Sequence, residues 1–134
     1  MAAVPPRFLW LVRFGIALVW LHEGLWMKLL HRDPHEVSIV AAVGAPYPLS
    51  PHLFLDLIGI GETLIAIGVL SGLFPRFLAT FQIVLLLTMN LIAICFGQGT
   101  IADPIGLLIH NLPLILCIVL VGWYPPQKNG EAKP

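Results

Sequence analysis

Four long apolar stretches dominate the pattern of hydrophobic and polar positions along the chain. They cover residues 7–30, 52–73, 77–97 and 104–123, and prolines, glycines or charged residues separate them. About 20 apolar residues in helical form span a hydrocarbon core of ~30 Å. The pattern therefore predicts four transmembrane helices.

The polar segment between the first two stretches, residues 31–50, contains a shorter element. Asp33 followed by Pro34 is typical of a helix start, with the aspartate as cap, and Gly44 is typical of a helix stop. We therefore predict a short helix over residues 35–43. It would lie on the membrane surface or fold onto the mouth of the bundle.

The very short connections elsewhere in the chain favour antiparallel neighbours. The predicted fold class is all-α: a transmembrane four-helix up-down-up-down bundle with a short interfacial helix between the first and second spans. Residues 1–123 form a single membrane domain in this interpretation. Residues 124–134 are expected to be a disordered cytoplasmic tail.

Composition points to a membrane protein rather than a soluble one. Of the 134 residues, 58% are hydrophobic and 10% are charged, whereas soluble domains carry roughly 25% charged residues. The formal net charge is zero, and no basic cluster provides a footprint for nucleic acid. The lipid bilayer is the expected partner.

Lysine and arginine residues near the helix ends predict the orientation. Arg7 and Arg76 lie at one end of the bundle together with the lysines of the C-terminal tail, whereas Lys28 and Arg32 lie at the other end. The positive-inside rule then places both termini in the cytoplasm. We expect a multi-pass protein of a bacterial-type inner membrane, with residues 31–50 facing outward.

Polar side chains interrupt the apolar stretches at similar depths. An ionisable side chain in lipid costs at least ~2.5 kcal/mol, so such groups need partners or a role. At ~1.5 Å per residue, all four spans bring a polar side chain into the outer half of the membrane. We therefore predict a polar pocket that opens outward and is roofed by residues 31–50. The candidate ligand-binding residues are His22, Glu23, Trp26, Lys28, Glu62, Asn90, His110 and Asn111.

The same side chains also allow a purely structural interpretation. Buried polar residues in membrane bundles often hydrogen-bond one another and hold the helices in register. For Glu62, a pair with Arg13 or His22 would be a sufficient explanation of its position. A structural assembly protein is therefore one alternative.

Several kinds of ligand suit this set of side chains. His22 and His110 are candidate ligands for a first-row metal or a haem, although no spacing puts two ligands on one helix face. His22-Glu23 is not a zinc-protease motif, because Trp26 stands where the second histidine is needed. A quinone or another apolar molecule with carbonyl groups fits the mixed lining better. Whether the protein catalyses a reaction stays open.

Short motifs follow one another in order along most of the chain. They are Arg13 with Trp20-Leu21-x-x-Gly24-Leu25-x-x-Lys28, then Pro34-x-Glu36 and Gly44, then Gly59-x-Gly61-Glu62 with Gly68, and finally Asp103-Pro104-x-Gly106 and Asn111. This ordered set resembles the DoxX-like family of small four-helix integral membrane proteins over about residues 7–123. The resemblance implies a bundle that often partners redox enzymes, and the relatives that give the family its name are linked to quinone-dependent sulfur oxidation.

With this resemblance, we expect a small inner-membrane accessory subunit of a redox system that binds a quinone-like or lipid-like molecule in the outward-facing pocket. The expected partner is a membrane or soluble redox enzyme, and a homo-oligomer is a further possibility. The alternatives are a metal- or haem-binding membrane oxidoreductase and a purely structural assembly protein.

Overall fold

The chain forms four long helical spans and one short helix. The computed structural model describes residues 5–97 and 99–124, and these contain no strand. The first span begins as helix α1, Pro6–Leu21, and continues directly as a π-helical segment, His22–Leu30. The other helices are α2, Pro34–Val43; α3, Pro51–Ser71; α4, Pro75–Phe96; and α5, Pro104–Trp123.

The four spans are long and apolar enough to cross a membrane. They are Pro6–Leu30, Pro51–Ser71, Pro75–Phe96 and Pro104–Trp123. The predicted all-α fold, with four spans and a short helix between the first and second, is confirmed. The protein is therefore a multi-pass membrane protein. Of the predicted tail over 124–134, all but Tyr124 lies outside the described residues.

Prolines and capping side chains set where the helices begin. Each of the five helices has a proline in its first turn, where the missing N–H would have no partner in any case. Ser50 accepts a hydrogen bond from the Leu53 N–H at 3.2 Å, and Asp103 accepts one from the Gly106 N–H at 2.8 Å. Asp33 is the N-cap residue of α2, as predicted, and its carbonyl accepts from the Val37 N–H at 3.2 Å, but its side chain accepts no capping hydrogen bond from the described residues. Instead, its N–H donates to the Met27 carbonyl at 2.9 Å and closes the π segment.

The spans pack as a ring in chain order. α1 contacts α3 and α5, and α4 contacts both of those helices. Gly24 lies against Glu62 while Arg13 lies against Gly72, so the first span and α3 are antiparallel. α2 packs on α3 and α4, at the end of the bundle formed by residues 31–50 and the start of α5. We call this the loop end, and the opposite end the terminal end.

The core is built from small and aliphatic side chains together with one tryptophan. The Trp20 indole N–H donates to Gln82 Oε1 at 2.8 Å, and Gln82 Nε2 donates to the Leu78 carbonyl at 3.0 Å. These buried polar groups are therefore satisfied within the bundle. The buried core residues are Ile16, Ala17, Trp20, Ile65, Ala66, Val69, Ala79 and Ile118.

The contact between α4 and α5 depends on a glycine. A Cβ placed on Gly122 would collide with the Ala79 Cβ, whereas a Cβ placed on Gly61 would meet nothing within 4 Å. We expect Gly122→Val to lower the free energy of unfolding by ~1–3 kcal/mol, the usual cost of overpacking. Thermal unfolding in detergent, followed by circular dichroism, measures this loss. Gly61→Val is the matched control, and an equal loss in both variants would contradict the described packing.

Candidate functional site

The π segment and α3 approach each other closely at two glycines. A Cβ on Gly24 would lie 2.7 Å from both the Glu62 Cβ and the Gly59 carbonyl oxygen. A Cβ on Gly59 would lie 2.9 Å from the Gly24 carbonyl oxygen and from the Lys28 Cβ. Glycine therefore permits an approach of the two backbones that a larger residue would prevent. The approach brings Lys28 opposite Glu62.

Lys28 is the centre of a buried ion cluster. Its Nζ lies 3.0 Å from Glu62 Oε2 and 3.4 Å from Glu36 Oε2. The same ammonium group donates a hydrogen bond of 3.4 Å to the Glu23 carbonyl oxygen. Lys28 and Glu62 are each 3% exposed. Because a buried charge without a partner costs several kcal/mol, each member depends on the others.

The cluster joins three elements of the fold. Lys28 belongs to the π segment, Glu36 to α2 and Glu62 to α3. Glu62 Oε2 accepts no aligned hydrogen bond from the part of the chain that the structure describes, so its attraction to Lys28 is mainly Coulombic. One ammonium group faces two carboxylates, and the ionised cluster therefore carries a net negative charge.

The first span is π-helical where it contributes to the cluster. The His31 N–H donates at 2.7 Å to the Trp26 carbonyl, five residues earlier, as π-helical winding requires. π-helical turns are rare and are found frequently at functional sites. The uncommon winding of His22–Leu30 includes both Gly24 and Lys28.

A cavity of about 420 Å³ lies beneath α2, beside the ion cluster. Its polar lining comes from Lys28, Glu36 and Asn90, and its apolar walls include Val40 of α2 and Phe54 of α3. Small-molecule sites typically occupy about 300–1,000 Å³ and combine apolar walls with a few polar groups. The cavity has the size and lining of such a site.

Asn90 adds an unused hydrogen-bond donor to this cavity. Its Nδ2 atom is buried and has no hydrogen-bond partner among the described residues. Leaving a buried amide donor unpaired costs ~1–3 kcal/mol. A ligand with an oxygen acceptor would relieve that cost by accepting from Nδ2.

A second ion pair lies at the loop end of the bundle. Arg32 Nη2 lies 3.0 Å from Asp56 Oδ2, and Arg32 itself has a positive φ of 49°. This pair ties the connection before α2 to the first turns of α3. This pair and the contact between Lys28 and Glu36 together hold the N-terminal end of α2, which covers the cavity.

The structure brings three of the predicted site residues to the cluster and the cavity. Lys28 and Glu62 form the ion pair, and Asn90 lines the cavity. Glu23 reaches the cluster only through its backbone carbonyl, and the side chains of His22 and Glu23 lie on the side of the π segment that faces away from the bundle. Their side chains are 59% and 43% exposed, and His22 Nδ1 lies 3.2 Å from Glu23 Oε1.

The remaining predicted residues also lie outside the cavity lining. Trp26 is exposed and stacks on His31, with 6.2 Å between the ring centroids. His110 is exposed, and its Nδ1 lies 2.6 Å from the Gly106 carbonyl oxygen of its own helix. Asn111 is half-buried on α5 and does not line the cavity.

Depth in the membrane was the criterion for these candidates, and depth does not decide which way a side chain faces. At ~100° per residue, His22 lies about 200° around the helix from the buried Trp20, so it faces away from the core of the bundle. The predicted pairing of Glu62 with Arg13 or His22 is also wrong. The Gly24–Gly59 approach makes Lys28 its partner, and Arg13 lies 5.8 Å above the Trp10 ring.

Sequence reasoning did not select two features of the site. Glu36 was visible as part of the Pro34-x-Glu36 motif, but its contact with Lys28 depends on how α2 folds back onto the bundle. The apolar cavity walls had no distinguishing signal, because aliphatic residues facing a cavity and those facing lipid look alike in sequence. The metal candidates His22 and His110 belong to no cluster of three metal-binding side chains within the described ranges.

Comparison with known proteins identifies a family. A model of the DoxX-like family matches residues 17–119, a region that extends from α1 into α5 and contains Gly24, Gly59 and the whole ion cluster. No curated protein and no solved structure matches the chain.

Of the residues in the ion cluster, Lys28 is the one whose substitution should reduce stability most. We expect Lys28→Met to lower the free energy of unfolding by ~3–5 kcal/mol, because two carboxylates lose their counter-charge. Arg32→Met is the matched control at the exposed Arg32–Asp56 pair, where the expected loss is ~0–1 kcal/mol. Unfolding of the purified protein in mixed micelles with increasing dodecyl sulfate measures both.

Removing the opposing carboxylate should recover part of this loss. In the double variant Lys28→Met with Glu62→Leu, the pair becomes apolar, and we expect a smaller loss than in Lys28→Met alone. A double variant whose loss equals or exceeds that of Lys28→Met would contradict direct pairing of the two side chains.

Proposed function

Because the chain belongs to the DoxX-like family, we propose that it is an accessory subunit of a redox system that binds a quinone-like or lipid-like molecule. The proposed binding site is the cavity beneath α2. One observation carries the proposal: the buried Asn90 amide has no partner within the described residues and lines an otherwise largely apolar cavity.

A quinone matches the chemistry of this lining. Its ring and tail are apolar, and its carbonyl oxygens accept hydrogen bonds. Asn90 Nδ2 is the proposed donor to one carbonyl, and the apolar walls from α2, α3 and α4 would cover the ring. A few well-placed polar groups in an apolar site are sufficient to orient such a ligand.

The charge of the ion cluster favours a neutral ligand. Lys28 lines the cavity, but Glu36 and Glu62 already neutralise it. With both carboxylates ionised, an anionic head group beside this cluster would meet a net negative charge and be repelled at low dielectric. A quinone or the ester carbonyl of a lipid avoids this repulsion.

We also propose that the loop end faces the outside of a bacterial-type inner membrane and that both termini are cytoplasmic. Arg7 and Arg76 lie at the terminal end. Lys128 and Lys133 follow α5, which also ends there, whereas the loop end has only Lys28 and Arg32. This distribution supports the orientation that the positive-inside rule predicts.

Asn90→Leu tests the binding site directly. We expect it to weaken binding of a benzoquinone with a short alkyl tail by about three- to tenfold, the value of one neutral hydrogen bond. Asn111→Leu is the matched control, since Asn111 lies outside the cavity lining. Titration calorimetry in detergent measures both dissociation constants, and competition with phosphatidylethanolamine separates quinone from lipid binding.

No binding by the unaltered protein, or equal weakening in both variants, would contradict the proposed site.

Two serine-to-cysteine variants test the orientation. Ser38 on α2 and Ser71 at the end of α3 are both exposed, and each hydroxyl donates to a carbonyl of its own helix. With Cys95 and Cys117 replaced by alanine, we expect a membrane-impermeant maleimide to label Ser38→Cys in intact cells. We expect the reagent to label Ser71→Cys only after the membrane has been permeabilised. The reverse pattern would overturn the orientation.

A further inference from the structure

The face of the first span that points away from the bundle carries an ionisable pair within the membrane-spanning segment. His22 and Glu23 have side chains 59% and 43% exposed, although they belong to the span Pro6–Leu30. His22 lies about 24 Å along the span from Pro6, one helical turn before the exposed Trp26. The two groups contact each other within the chain, with His22 Nδ1 3.2 Å from Glu23 Oε1, yet both side chains keep a large exposed surface. Because ionisable groups that face lipid cost at least ~2.5 kcal/mol, contact with another protein surface would stabilise this pair.

The same face has the pattern of a helix-packing surface. Leu11, Gly15, Leu18 and His22 follow one another at intervals of four, three and four residues, and all are exposed. This spacing keeps side chains on one line along a helix, as in coiled coils. We call these four residues the α1 seam.

Gly15 makes the α1 seam accessible to a second helix. A Cβ on Gly15 would meet nothing within 4 Å, so no close packing among the described residues requires a glycine there. Small residues on the exposed face of a membrane helix let another backbone approach closely. Gly61 has the same open space around it, so Gly15 is distinguished by its position in line with the exposed His22. The glycine and the polar pair on one face together favour a face that is covered by protein.

We propose that the α1 seam is the interface of a symmetric dimer with a second copy of this chain. Two copies inserted in the same orientation are related by a two-fold axis along the membrane normal, so equivalent residues meet at the same depth. The His22–Glu23 pair of each copy, 3.2 Å apart within the chain, then lies beside the same pair of the other copy, and each imidazole also contacts the other copy's carboxylate. The interface removes both groups from lipid.

Charge complementarity selects a second copy as the occupant. The seam and the adjacent Glu23 offer one imidazole and one carboxylate at the same level, which makes the patch self-complementary. The cavity beneath α2 has none of these residues in its lining. Dimerisation therefore leaves the proposed ligand site open and does not depend on it.

Cysteine cross-linking in the membrane tests the interface. In the full chain with Cys95 and Cys117 replaced by alanine, Leu18→Cys places a thiol on the seam. Leu87→Cys on α4 is the matched control, since Leu18 and Leu87 are 49% and 45% exposed. A disulfide requires Cα atoms about 4.4–6.8 Å apart. We expect oxidation to give dimers with Leu18→Cys and not with Leu87→Cys, and equal cross-linking of both would overturn the proposal.

Energy transfer between labelled chains in liposomes gives the dimer dissociation constant. We expect His22→Leu with Glu23→Leu to raise it by about three- to tenfold, because membrane-buried polar contacts favour association. Gly15→Val should also raise it, whereas the control Gly61→Val should not. If the face contacts lipid, the double leucine variant is at least as compatible with its surroundings and the constant stays unchanged. An unchanged constant, or a monomeric unaltered protein, would overturn the proposal.

Discussion

The ion pair between Lys28 and Glu62 is the interaction on which the loop end of the bundle depends. It exists because Gly24 and Gly59 let the π segment and α3 approach closely enough for a short lysine–carboxylate contact. Glu36 adds α2 to the same contact. The packing of three elements is thus tied to one ammonium group, and the cavity lies beside it.

The two ends of the bundle differ in whether their buried polar groups have hydrogen-bond partners. Toward the terminal end, Trp20 and Gln82 satisfy each other and the neighbouring backbone, and their surroundings are densely packed. Toward the loop end, the lining of the cavity keeps one amide donor unpaired. The polar groups of the dense core are thus satisfied within the bundle, whereas a buried donor beside the cavity has no partner among the described residues.

The sequence predicts the features that depend on neighbouring residues better than those that depend on contacts between distant parts of the chain. The spans are visible because each is a local run of apolar residues, and proline in the first turn defines where each helix starts. Lys28, Glu62 and Asn90 were found because polar groups in lipid are conspicuous. The sequence does not predict how these three side chains are arranged. Their arrangement depends on the close contact of the two backbones at Gly24 and Gly59 and on π-helical winding, which a hydrophobic period of 3.6 residues does not reveal.

The contact of Glu36 with Lys28 has a thermodynamic consequence for the roof of the cavity. Lifting α2 would leave Lys28 with Glu62 alone, so the cluster would pass from a net negative charge to neutrality. A ligand large enough to displace α2 would therefore change the electric field at a carboxylate deep in the bundle. By linkage, the ionisation of that carboxylate would in turn set how readily the roof lifts.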